Sequence, residues 1–321
     1  MSCENNITFS NVSNIGDISL INQLEDNLKS FFDWGLLNIG AFVNINAPTS
    51  GIQQGALYHQ LRATDDPGYA NGRVWQGFKK EWIWETGVSY TGQQPISISG
   101  ININNTFYPA PTGSGSVGYK INYPLGRVIF DRSLSSSANA NISYSYRWCQ
   151  VHKASASPWW TELQKMSLDT DPQFKQKDKG DYNISANQRI QMPCIIIEPT
   201  ARSNMTPWQL GATNFAIDQD ILCHVFAENA HDKNKLADII RLQKHKTIPL
   251  YDSIKLAKDA KYGLKYDGSI NQSGLIYPDF VKNDNYRSFK CFFKDIQIID
   301  MESFNQNLFW CTIRLTTEVI R

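Results

Sequence analysis

The chain has 321 residues, with 31 Lys and Arg against 30 Asp and Glu and a formal net charge of +1, so no overall basic excess drives sequence-independent nucleic-acid binding. Apolar residues make up 41% and charged residues 19%, which excludes a disordered chain and fits a globular one, and the length suggests two domains. No apolar run approaches the ~20 residues that span a bilayer, and the opening MSCENNITFS has neither a basic nor an apolar signal region, so no membrane partner is expected and the protein should be made and assembled in a cytosol.

The first element is an amphipathic helix in DISLINQLEDNLKSFFDWGLL, where Leu20, Ile21, Leu24, Leu28, Phe31 and Phe32 recur at helical spacing. Asp17 or Ser19 can cap its start and Gly35 marks its stop. Its apolar face is expected to pack on the N-terminal domain, with docking on a neighbouring subunit as the alternative. RATDDPGYANGR reads as a loop, and VWQGFKKEWIWETGVSY, with Trp75, Phe78, Trp82, Ile83 and Trp84, reads as strand because aromatics dominate and glycines interrupt any helix.

PISISGININNTFYP gives a strand pair broken at Gly100. In YKINYPLGRVIFDRS the alternation stops at Tyr123, turns through Pro124, Leu125 and Gly126, and resumes at Val128: a hairpin in which Pro presets φ and Gly takes the left-handed position. NISYSYRW then places Ile142, Tyr144, Tyr146 and Trp148 on one face. Short strands with frequent turn signals predict a mainly β domain, a sandwich or small barrel, over residues 1–152.

Residues 153–188 change character. KASASPWWTELQKM is expected to hold a short helix after Pro158, and the charged run at 175–181 a solvated connector. From 189 a second domain begins. MPCIIIEPT looks like a buried strand, and ILCHVFAE is apolar on both faces, with Ile221, Cys223 and Val225 opposite Leu222, His224 and Phe226, the mark of a mid-sheet strand. NAHDKNKLADIIRLQ offers Leu236, Ile239, Ile240 and Leu242 to a helix with Asn229 or Asp232 near its start. YDSIKLAKDAKYG adds a short helix or loop closed by Gly263, and two long strands end the chain. The fold class is therefore α+β: the β domain with its helix, then an antiparallel sheet with one main helix over 189–321.

Reactive chemistry is hard to find. His231 and Asp232 lack the paired histidines of a helical zinc site, and His224 and Cys223 point to opposite faces of a strand, which makes His224 a buried, hydrogen-bonded residue instead of a base. The six cysteines, Cys3 among them, are widely spaced and read as small buried hydrophobes. GSGSVG resembles a phosphate loop, but no helix follows it. Asp65 and Asp66, and Asp169 and Asp171, sit in turn-like sequence. No catalytic, cofactor-binding or metal residue is assigned and no cofactor is implied. Exposed Trp82, Trp84, Trp159 or Trp160 would point to sugar stacking, and acids clustered in a cleft to a hydrolase.

The order MPCIIIEPT, ILCHVFAENAHDKNKLADIIRLQ and FFKDIQIIDMESFNQNLFWCTIRLTTEVI, spanning 188–321, resembles the α+β tail-terminator and neck proteins of tailed bacteriophages. GYKINYPLGRVIFDRSLSSSANANISYSYRW is similar to hairpin stretches of phage virion proteins. The resemblance implies a non-enzymatic virion structural protein at the head–tail junction. It would form a ring of about six or twelve copies and dock on connector, tail tube or sheath proteins, with DNA passing its lumen without sequence-specific binding. The N-terminal helix and the 175–181 run are the candidate interaction elements. The alternative is a tail or baseplate receptor- or carbohydrate-binding protein.

Overall fold

The computed structural model describes residues 20–47, 58–110, 117–157, 160, 175–177, 181–183, 189–207, 215–305 and 308–320. It is α+β and mostly strand, with sheets curled into half-barrels.

Helix α1 (Leu20–Asn38) runs through Gly35 instead of stopping there. Leu36 and Leu37 beyond the glycine are buried, and this burial outweighs the ~1 kcal/mol that a helical glycine costs. Gly40, with φ of 83°, supplies the left-handed residue after the end. The proposed caps Asp17 and Ser19 lie outside the described residues.

Strands β1 (Phe42–Ile45), β2 (Gln60–Ala63), β3 (Val74–Gln76), β4 (Gly100–Ile103), β5 (Thr106–Pro109), β6 (Tyr119–Asn122), β7 (Arg127–Phe130), β8 (Ala140–Ile142) and β9 (Tyr144–Arg147) form the N-terminal unit. Seven of them make one antiparallel sheet in the order β5-β4-β8-β2-β3-β7-β6, and β1 pairs with β9 apart from it. The expected β6–β7 hairpin is present: Asn122 faces Arg127, and Gly126 has φ of 59°. The β4–β5 hairpin turns at Asn104 and Asn105, both at positive φ, and not at Gly100, because two left-handed residues match the strand twist. Gly100 instead receives the ring of Phe107, which a Cβ there would strike. Of the aromatic stretch around Trp82 only β3 is strand. Trp82 is the fully buried plug of this core, stacked on Tyr144 with ring centroids 4.5 Å apart.

The second unit is a six-stranded sheet in the order β10-β14-β15-β18-β17-β16, from β10 (Gln150–Lys153), β14 (Cys194–Pro207), β15 (Phe215–Ala227), β16 (Thr247–Tyr251), β17 (Arg287–Asn305) and β18 (Leu308–Ile320). Only β10 and β14 are parallel. Strand β15 sits mid-sheet as its two apolar faces require, and β17 continues through MESFN, which sequence had left between strands. The described ends of the charged run at 175–181 are strand. Lys175–Lys177 forms β11 and Asp181 opens β12 (Asp181–Asn183), which join β13 (Arg189–Gln191) in a small antiparallel sheet.

Helix α2 (Ala230–Arg241) starts at Asn229, whose side chain accepts from the Asp232 amide. Two short helices follow, α3 (Ser253–Lys258), capped by Asp252, and α4 (Tyr277–Lys282), the latter unforeseen in the sequence.

The main departure from the sequence reading concerns α1. Leu24, Leu28, Phe32 and Leu36 enter the core of the C-terminal sheet, with Ile195, Ile197, Ile221, Val225, Leu236 and Ile313. The first helix therefore belongs with the last sheet, and α1 and α2 together cover one of its faces. Strand β10, assigned by sequence to the first domain, is an edge of the same sheet. The apolar stripe of α1 marks a buried face but carries no address, and the apolar face of this sheet is what it covers.

Candidate functional site: a charged and aromatic cleft between the units

Three elements meet beside the C-terminal end of β9. Helix α1 brings Lys29, Asp33 and Trp34; the loop after β3 brings Glu81, Trp84 and Glu85; and the excursion between β16 and β17 brings Tyr262, Tyr277 and Phe280. They enclose a cleft of about 370 Å³, with Arg147 and His152 in its wall.

Arg147 organises the floor. Its Nε donates to Asp33 Oδ1 at 2.7 Å and its Nη2 to Asp33 Oδ2 at 3.0 Å, while Nη2 also meets Glu85. The guanidinium side chain is 7% exposed. Desolvation of Arg147 is opposed by Asp33 and Glu85, and the balance holds its charge more firmly than in water. Sequence placed Tyr146 and Trp148 on one face with Ile142 and Tyr144. Instead Ser145 and Arg147 are buried and Tyr146 and Trp148 only half-buried. The strand breaks at Ser143, and β9 leaves the seven-stranded sheet to pair with β1, turning its other face toward α1.

Glu81 differs from its neighbours. Its backbone is left-handed at φ of 52°, the peptide is pinned by Glu81 N to Pro124 O at 3.0 Å and Arg147 N to Glu81 O at 3.1 Å, and no hydrogen bond is made by its carboxylate to the described residues. Burial pushes its carboxyl above the usual range despite Arg147 and Lys29, and burial likewise raises Glu85. His152, near Gln150 Oε1 at 3.2 Å, is lowered to about 4 by burial and by Lys29, so it is neutral at physiological pH.

The excursion closes the cleft by gripping the N-terminal unit. Asn122 Nδ2 donates to Asp267 O at 3.0 Å, Tyr123 N donates to Gly268 O at 3.0 Å, and Gly263 lies directly against the Trp84 ring.

No family model, curated protein or solved structure matches this chain.

The residues singled out in sequence fall as follows. Trp82 and Trp160 are buried and offer no exposed stacking face; Trp84 lines the cleft half-buried, and Trp159 lies outside the described residues. Asp66 caps a turn at the Gly68 amide and pairs with Arg127 at 2.9 Å, a structural duty; Asp169 and Asp171 lie outside the described residues. His224 is 4% exposed, bonded to Glu198 Oε2 at 2.8 Å and Thr312 Oγ1 at 3.1 Å, the buried histidine that its strand position implied. Cys149, Cys194, Cys223, Cys291 and Cys311 are buried thiols, with burial pushing Cys223 and Cys291 up to about 12; Cys3 lies outside the described residues. Among the described residues no group of His, Cys, Asp and Glu is arranged to hold a metal ion, and no helix is long and apolar enough to cross a membrane.

The acids of the cleft, Asp33, Glu81 and Glu85, were not flagged in sequence. Their only signal was that EWIWE sets two carboxylates around Trp residues. Hydrolysis by a carboxylate pair needs one acid to protonate and a second to attack or to activate water. Arg147 holds Asp33 and Glu85 in ion pairs, and Glu81 has no such partner among the described residues.

Proposed function

We propose that this chain is a non-enzymatic structural protein of a tailed-phage virion, a neck or tail-terminator-type subunit at the head–tail junction. In this reading it closes into a homo-oligomeric ring and docks on adjacent connector or tail rings. The observation that supports the reading is the six-stranded sheet itself. Strand β10 covers only the first four residues of β14, and β16 covers only the beginning of β17. Among the described residues, 198–207 of β14 and 294–305 of β17 therefore have no strand on their outer side.

Uncovered edges present unpaired N–H and C=O groups to another chain. These two lie on opposite sides of the sheet, so joining one to the other in a neighbouring copy is a heterologous contact, the kind that generates a ring when its rotation closes. Bulges between Phe293 and Asp295 and between Ile298 and Asp300, together with Pro199 and Pro207 in β14, blunt both edges against indiscriminate pairing. A virion subunit needs that restraint before its partner arrives.

Light scattering on the purified protein, followed by particle imaging, tests the reading. A closed ring of about six or twelve copies is the expected result. A compact trimer would instead favour the receptor-binding alternative, and a chain that stays monomeric even when mixed with purified phage tails and connectors would sink the junction role.

A further inference from the structure

No residue of the two uncovered sheet edges lines the cleft at the junction of the units, and its walls are of two kinds. Half-buried aromatic rings, Trp34, Trp84 and Tyr262, line it together with hydrogen-bonding groups, Glu81 among them. At about 370 Å³ it has the size of a small-molecule site. We propose that this cleft binds a neutral carbohydrate ring, with an aromatic ring packing on its C–H face and Glu81 accepting from its hydroxyls.

Three features favour a polyol over other small molecules. The wall is amphipathic, as a sugar ring is: apolar above and below, polar around the rim. The charged floor is already paired, since Arg147 is committed to Asp33 and Glu85, so a neutral ligand enters without breaking an ion pair. Glu81 is the remaining acceptor. Its carboxylate, on a half-buried residue lining the cleft, is free to accept from two sugar hydroxyls, which bring no charge. Its left-handed backbone at φ of 52° is held by bonds to β9 and to the β6–β7 turn, so the root of the side chain is fixed at the cleft before a ligand arrives. This proposal does not rest on ring formation and stands or falls separately.

Calorimetric titration of the full-length protein with glucose, galactose, mannose and N-acetylglucosamine, alongside tryptophan fluorescence, tests it. Saturable binding of at least one sugar is expected, weakened about tenfold or more by Glu81→Gln and by Trp84→Leu. Circular dichroism and the oligomeric state, compared with wild type, separate loss of the site from loss of fold, and Glu81→Gln is the milder variant for that comparison. No saturable signal with any of the four sugars would overturn the proposal. So would binding unchanged in both variants, or saturable binding of spermidine with none of the sugars.

Discussion

Arg147 on β9 and Asp33 on α1, 114 residues apart, are joined by two parallel hydrogen bonds of 2.7 and 3.0 Å. This pair ties the N-terminal unit to the helix that packs on the C-terminal sheet. A bidentate, largely buried pair of this kind is weak evidence of net stabilisation, yet breaking it from one side is expensive, because the partner charges stay buried.

Arg147→Met is therefore expected to destabilise the protein by about 3–5 kcal/mol, by leaving Asp33 and Glu85 without their cation. Urea denaturation reads this directly. Adding Asp33→Leu and Glu85→Leu to the Met variant is expected to recover much of the loss, and a triple variant as unstable as the single one would count against the charge argument.

Asn27 works as an extra rung on strand β16. Its Nδ2 donates to Tyr251 O at 2.9 Å and its Oδ1 accepts from Tyr251 N at 2.8 Å, with Asn27 fully buried. Asn27→Leu strands a backbone donor that the helix had satisfied, and a loss of about 1–3 kcal/mol is expected. Asn27→Asp keeps the acceptor for Tyr251 N but loses the donor. Hydrogen exchange at the Tyr251 amide should quicken in the Leu variant and also in the Asp variant, whose buried carboxylate would face Gln23 O and Tyr251 O; unchanged exchange in the Leu variant would count against the rung.

His152 makes stability fall on acidification. Its folded value of about 4 lies below the ordinary 6.5, so the unfolded chain takes up the proton first as pH drops. The stability present above pH 6.5 is progressively lost toward pH 4, by up to about 3 kcal/mol. Glu81, held above its ordinary value, works in the other direction, losing its unfavourable charge as pH falls. Comparing wild type with His152→Asn at pH 7.5 and pH 5 isolates the histidine: the variant should show the smaller drop, and equal drops would contradict the assignment.

Gly263 is where the excursion meets Trp84. A Cβ there would run into the indole and lie 3.0 Å from Leu275 O. Gly263→Ala is expected to cost about 1–3 kcal/mol through overpacking. Trp84→Leu in the same chain should return part of it, giving a coupling between the two sites in a double-mutant cycle. Strict additivity would show that the contact does not hold the units together.

Local order was legible from the residues alone. The β6–β7 hairpin followed from Pro124 and Gly126, the mid-sheet place of β15 from apolar residues on both faces, and the start of α2 from Asn229. In each case the cause lies within a few residues of its effect: a φ preference, a cap, a period.

What the tertiary structure decided was which surfaces meet. The stripe Leu24, Leu28, Phe32 and Leu36 announced a buried face, but not that its partner sheet holds Ile195 and Ile313. Arg147, in an alternating strand, reads as a solvent-facing cation, because its acids stand 114 and 62 residues away. Hydrophobic burial is non-directional, and a periodic sequence fixes the face without naming the partner. The cleft around Glu81, made by elements from three parts of the chain, exists only once those partners are chosen.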